Sequence, residues 1–269
     1  AAVERDAAML ARRLDPETAE GLLSQFARVA ASTRGEPARI AREVARAAEL
    51  LPKADVVIAE REIRDGRGAT LVPLPADRSH GVDAAYKRQG PNDLYVVPLV
   101  QPLQALATTR PPRMLVVDVA PSTPYRLLVE VLFTAGQSEW RGFDLRLAGR
   151  PLQHAVTHPP RTGVGLSSTL GLTVLVVDGG VSLKARGGNV APGCGDIGPG
   201  LAIPKRDGQH DDVALATCLA KLKSQFADET QVTIAANPST PFDELLRLVT
   251  IARGRRLDLF PEVTWGLAR

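Results

Sequence analysis

Val232-Thr233-Ile234-Ala235-Ala236-Asn237-Pro238-Ser239-Thr240-Pro241-Phe242 decides how this chain is read, because its turn occurs twice. Pro121-Ser122-Thr123-Pro124-Tyr125 stands 117 residues upstream of Pro238-Ser239-Thr240-Pro241-Phe242. Each copy follows an apolar run of strand type, Met114-Leu115-Val116-Val117 in one and Val232-Thr233-Ile234 in the other. Each is followed by an amphipathic helical pattern. The same offset relates Val56-Val57-Ile58 to Thr173-Val174-Leu175. A shared string inside matching flanks predicts two copies of one α/β unit, the second better preserved than the first.

Working outward, the second unit covers 169–269. A strand over Leu172–Val177 meets Asp178-Gly179-Gly180, a hairpin signal, and returns through Val181-Ser182-Leu183. A glycine-rich loop runs to Gly208, and Asp211 or Asp212 then caps a helix with Leu215, Leu219, Leu222 and Phe226 on one face. A strand at 232–236, a helix at 241–252 and a strand at Val263–Leu267 follow. The order is β-β-α-β-α-β, with helices against one face of a mixed sheet. The first unit, 54–148, repeats this with strands at Val56–Ile58, 69–72, 114–119 and Phe143–Leu147 and a helix at 124–135. Pro98 and Pro102 predict a short or broken helix before Met114. Residues 149–168, with Pro151, Pro159 and Pro160, have the composition of a flexible linker. Residues 1–53 read as a helical segment: Asp15-Pro16-Glu17 starts one helix and Ile40, Val44, Ala47 and Leu51 line another. The fold class expected is therefore α+β, two tandem units with mixed sheets and a separate core each, behind an α-helical lead.

The repeated turn has a physical reading of its own. Thr123 and Thr240 are placed to cap a helix N-terminus, and Pro124 and Pro241 occupy a first turn where no amide donor is missed. Tyr125, Leu128, Val129, Leu132 and Ala135 then face the sheet, mirrored by Phe242, Leu245, Leu246, Val249 and Ala252.

Composition narrows the function. Hydrophobic residues make up 44% and charged residues 23%, an ordinary globular balance. Net charge is +3 without a basic block and aromatics are 4%, which argues against nucleic-acid binding. The apolar runs are far shorter than a membrane span, and no signal peptide is visible at the start; a membrane anchor upstream of Ala1 is compatible with the sequence. No nucleophile elbow, phosphate-binding P-loop or His-Glu-x-x-His motif occurs, so no catalytic set, cofactor or metal is expected. His154 and His158 fall in the expected linker as solvated side chains, and His80 and His210 sit in loops without a visible partner. Cys194 and Cys218 are the two cysteines, either two separate thiols or one bridge according to the compartment.

The strand, turn and helix around Pro238–Phe242, with the closing Leu259-Phe260-Pro261-Glu262-Val263-Thr264-Trp265-Gly266-Leu267, resemble the periplasmic domain of the ExbD/TolR family. Family members carry one such dimerising domain behind a transmembrane helix; this chain has two in tandem and no such helix. The resemblance implies a periplasmic location, and with it a Cys194–Cys218 disulfide. It implies a non-catalytic role in the cell envelope: binding and coupling beside an ion-driven motor of the proton-motive, protein-transport type. The partner would be an envelope motor or TonB/Tol-like protein strand, or peptidoglycan. An open sheet edge is the surface expected to accept an extended peptide. The two units are expected to pair within one chain through their last strands. Thr123, Tyr125, Phe143, Leu145, Leu147, Phe242, Val263, Trp265 and Leu267 are the candidate contact residues. The alternative from another class is a small α/β enzyme with a site between the two units.

Overall fold

The computed structural model describes residues 53–109, 114–148, 150–161, 170–254 and 257–266. The helical segment expected over 1–53 thus lies, but for Lys53, outside the described residues, as do Leu267 and residues 162–169 of the expected linker.

The first half contributes β1 (Val56–Ile58), β2 (Glu62–Asp65), β3 (Thr70–Pro73), α1 (Val97–Thr109), β4 (Leu115–Val119), α2 (Tyr125–Gln137), β5 (Phe143–Leu147) and β6 (Arg150–Arg161). The second half contributes β7 (Thr173–Val177), β8 (Gly180–Ala185), β9 (Gly188–Asn189), β10 (Ile203–Pro204), α3 (Asp212–Gln225), β11 (Gln231–Ala236), α4 (Phe242–Arg253) and β12 (Glu262–Gly266). Among the described residues they form an α+β fold with four α-helices and one mixed sheet of 12 strands.

Strand order runs β10-β8-β7-β11-β12-β6-β5-β4-β1-β2-β3, with β9 on β8. In the first half β1 pairs antiparallel with β2 and parallel with β4, and β4 pairs parallel with β5. The second half repeats this pattern with β7, β8, β11 and β12. Because β6 is antiparallel to β5 and parallel to β12, the two halves run in opposite senses, as a pseudo-twofold axis requires. The core is continuous across both halves, in place of the two separate cores expected.

Residues 150–161, expected within a flexible linker, are a central strand. Its prolines fall where the ladders shift register: Pro151 beside the step between Arg146 and Leu147, and Pro159 and Pro160 between the positions facing Thr264 and Gly266. A proline costs nothing in a ladder where no amide bond is due. The last strands of the two halves consequently do not touch; each pairs with β6. Helix α1 also differs from expectation and runs unbroken through Pro102. The donor missing there would have served Pro98 in the first turn, and buried Leu99 and Leu103 hold the helix on the core.

The hairpin at Asp178-Gly179 joins β7 to β8, with Val177 facing Gly180. Gly180 has φ of 146°, and a Cβ there would stand 2.3 Å from the carbonyl oxygen of Ile203 on β10. Asp211 caps α3, accepting the amide of Ala214 at 2.9 Å, while Phe226, expected on its apolar face, ends the helix partly exposed. Both sheet edges are blunt: β3 ends in Pro73, and β10 is two residues long and contains Pro204. Such edges disfavour the strand addition expected from sequence.

The repeated turns face each other across the axis. Each closes on itself identically, Thr123 N–H to Ala120 and Thr240 N–H to Asn237, both at 3.0 Å. Neither threonine hydroxyl caps its helix. The helix amides are met by the opposite turn instead: Tyr125 N donates to Thr240 O (2.8 Å), Arg126 N to Pro238 O (3.0 Å) and Asp243 N to Pro121 O (3.1 Å). Tyr125 then crosses into the second half, where its Oη reaches the carbonyl oxygens of Ile234 (3.1 Å) and Gly266. Its ring lies 6.0 Å from Trp265, whose Nε1 donates to Thr157 on β6 at 3.0 Å. Replacing Tyr125 by Phe should cost about 1–2 kcal/mol, the scale of a buried hydrogen bond whose acceptors lose their donor. A urea midpoint unchanged from the parent would show that the junction does not depend on this hydroxyl.

The Cys194–Cys218 disulfide is present, with Cα atoms 5.5 Å apart, and it fastens the glycine-rich loop to α3. Closing a loop of this length is worth about 3 kcal/mol in chain entropy. Reduction should lower the unfolding free energy on that scale, read as a fall in denaturation midpoint with dithiothreitol and no matching fall in a Cys194→Ala/Cys218→Ala double variant.

Candidate functional site

Eight of the nine candidate contact residues prove to be interior. Thr123, Tyr125, Phe143, Leu145, Leu147, Phe242, Val263 and Trp265 are each at most 5% exposed. In this fold they pack inside the continuous core that joins the two halves.

The most organised polar site begins with Glu130 on α2, fully buried on a helix expected to bury only apolar positions. Glu130 Oε1 accepts Lys87 Nζ at 2.7 Å and Arg126 Nε at 2.6 Å, and Oε2 accepts the amide of Val82 at 2.7 Å. Lys87 Nζ also donates to Pro91 O at 2.9 Å. Arg126 Nη2 meets three consecutive carbonyls, those of Pro91, Asn92 and Asp93, at 3.0–3.3 Å. One turn on, Thr134 Oγ1 accepts the amide of Val96 at 3.0 Å. The connection over residues 74–96 is thus wrapped around one buried carboxylate. Gly81 (φ 81°) is required there, since a Cβ would stand 2.3 Å from the Glu130 carboxylate. A buried charge persists only when paired and hydrogen-bonded, and removing one partner costs about 3–5 kcal/mol.

A cleft of about 500 Å³ opens above this cluster, lined by Asp77, Ser79, His80, Asn92, Arg126 and, from the second repeat, Pro238 among others. Its size is that of a small-ligand or side-chain pocket. Ser79 donates to Asp77 through its hydroxyl (2.7 Å) and amide (2.9 Å), which holds the Asp77 carboxyl below its usual range. The wall is pinned to the first repeated turn by Arg78, which donates to Glu60 (2.6 Å) and Ser122 (3.1 Å), while Ser122 donates to Glu60 (2.7 Å). The cleft therefore spans the two repeats, with Arg126 joining floor to junction.

A second polar cluster lies on the central strands. Asp118 on β4 faces Arg146 on β5, which faces His154 on β6. Arg146 Nε donates to Asp144 at 2.8 Å, and His154 Nδ1 lies 2.8 Å from the other Asp144 oxygen. Burial pushes the Asp144 carboxyl up, but His154 and Arg146 outweigh it and its pKa is lowered. Asp118 is raised by burial, which Arg146 offsets only in part and Asp144 reinforces. His154 is hence a buried, paired side chain and not the solvated one expected, and His158 Nδ1 lies 3.4 Å from Arg141 O. His210 also has a partner, Glu244 Oε1 at 2.7 Å, while burial lowers its pKa. The second repeat carries Ala235 where the first has Asp118, so this cluster is not duplicated.

Sequence reasoning missed Glu130, Lys87 and Arg126. The one available signal was the Arg126/Glu130 spacing of four on a helix. Among the described residues no group of three or more His, Cys, Asp or Glu side chains is placed to hold a metal, and no helix is long and apolar enough to cross a membrane. No family model, curated protein or solved structure matches the chain.

Asp118 gives a signed pH dependence. Its folded pKa lies above the unfolded one, so the stability it contributes is full at low pH and is lost as pH rises through the raised value. Asp118→Asn should therefore melt higher than the parent at pH 7, with the gap closing towards pH 3. A gap independent of pH would reject the assignment.

Proposed function

We propose that this chain is a non-catalytic binding and coupling module of an ExbD/TolR-like ion-driven envelope machine, working in the periplasm. The observation that carries the reading is the internal pair: two β-β-α-β-α-β halves of like strand pairing, joined across an axis by their repeated turns. The resemblance noted above is to domains that pair between chains, and here the pairing is within one. The disulfide supports an extracytoplasmic setting, since such bonds persist where thiols are not kept reduced. With both sheet edges blunt, the cleft at the repeat junction is the better contact surface for an envelope protein or wall polymer. That cleft, shared by both repeats, is also the site an enzyme reading would use, so the test separates the two.

A photo-crosslinker placed at His80, in the cleft, should capture an envelope component in producing cells, whereas one at exposed Lys184 on β8 should not. Collapsing the proton-motive force should change the yield of the cleft adduct. Equal capture from both positions would remove the reading, and release of a chemically altered small molecule by the purified chain would replace it with the enzyme.

A further inference from the structure

The floor of the cleft holds one unit of positive charge in excess. Lys87 and Arg126 share a single carboxylate, Glu130, and all three are accounted for contact by contact. The Lys87 and Glu130 side chains are at most 1% exposed, so their charges are fixed in a medium of low dielectric and felt strongly. Arg126 is the member that reaches the opening, with its side chain 22% exposed. Its Nε is committed to Glu130 and its Nη2 to the carbonyls of Pro91, Asn92 and Asp93. Its Nη1 makes no hydrogen bond or ion pair among the described residues, and the residue lines the cleft.

The acids nearby do not pair with Arg126. Asp77 and Asp83 line the same cleft, but neither forms an ion pair with Arg126. Asp77 Oδ1 accepts from Ser79 and Asp83 Oδ1 from the Ala85 amide, and both residues are exposed and screened by solvent. An arginine immobilised by four contacts has already lost its rotamer freedom, so a fifth partner binds without that cost. Pro75, Val82, Ala84, Pro91 and Pro238 supply the apolar part of the cleft lining.

We propose that the cleft recognises an acidic side chain of a partner peptide, flanked by small apolar residues, with its carboxylate on Arg126 Nη1. The inference rests on the partner-binding reading above and names the chemistry of that partner. A peptide is favoured over a wall glycan because the lining offers proline and aliphatic surface, while no Phe, Tyr or Trp ring lines the cleft for a sugar face to stack upon.

The probe is the acetylated, amidated pentapeptide Ala-Pro-Glu-Pro-Ala, titrated into the full isotope-labelled chain and followed by amide and arginine Nε resonances. Saturable shifts are expected at residues 80–92 and at Arg126, with the glutamine counterpart binding at least about fivefold more weakly, the scale of a partly exposed charge-assisted contact. Asn92→Asp, an isosteric change beside Arg126, should weaken the glutamate peptide about threefold or more at an unchanged melting temperature. Equal shifts from both peptides, shifts centred away from the cleft, or no effect of Asn92→Asp would each overturn the inference. If the peptides fail while His80 still captures an envelope component, the acidic specificity falls and the binding reading stands; if both fail, both fall.

Discussion

The two helix starts at the centre of this molecule are finished by each other. An α-helix leaves its first amides without internal partners, and a side-chain cap, water or a ligand ordinarily meets them. Here proline precedes each helix and the neighbouring threonine hydroxyl does not cap it, so the carbonyls of the opposite turn do. Neither half satisfies its own central helix. That reciprocity fixes the axis, and the axis fixes where β5, β6 and β12 must lie. Tyr125 extends the same constraint inward, since its hydroxyl ends on backbone of the other half.

Arg126 transmits the constraint to the surface. Its amide is held by Pro238 of the second repeat while its guanidinium is held by Glu130 and three loop carbonyls. Backbone and side chain of one residue thereby tie the junction, the buried carboxylate and the cleft into one rigid unit. Two cations around one anion are stable only with their polar atoms satisfied, which explains why residues 74–96 hold a defined course with little regular structure. Charge and apolar packing both shape the loop, since Val82 and Val96 are buried in the core.

How much of this was legible depended on whether the cause is local. The strands at Phe143–Leu147 and Thr173–Val177, the capped helix after Asp211 and the hairpin at Asp178-Gly179 follow from short-range pattern, and they stand within a residue or two of expectation. The repeat itself was legible because it is written twice. Strand β6 was not, since its proline-rich composition argues for a linker and only pairing with β5 and β12 makes it a strand. The threonines were misread for a related reason: a capping residue type in a capping position loses to carbonyls from a distant segment. Glu130 was not singled out because two of its partners, Lys87 and the Val82 amide, are more than forty residues away. Eight of the residues expected to make contacts between units or with a partner lie in the interior.

Strand β6 carries one more implication. It is the sixth of the eleven strands along the sheet path, belongs to the first half and, among the described residues, has no counterpart in the second. A pair of identical subunits must present every feature in duplicate. Two unequal halves fused through one unshared strand need not. The buried Glu130 cluster occurs in one half and the disulfide-fastened loop in the other, while the cleft borrows Pro238 across the junction. The molecule therefore keeps the framework of a symmetric dimer while its two ends remain distinguishable, a polarity that identical subunits lack.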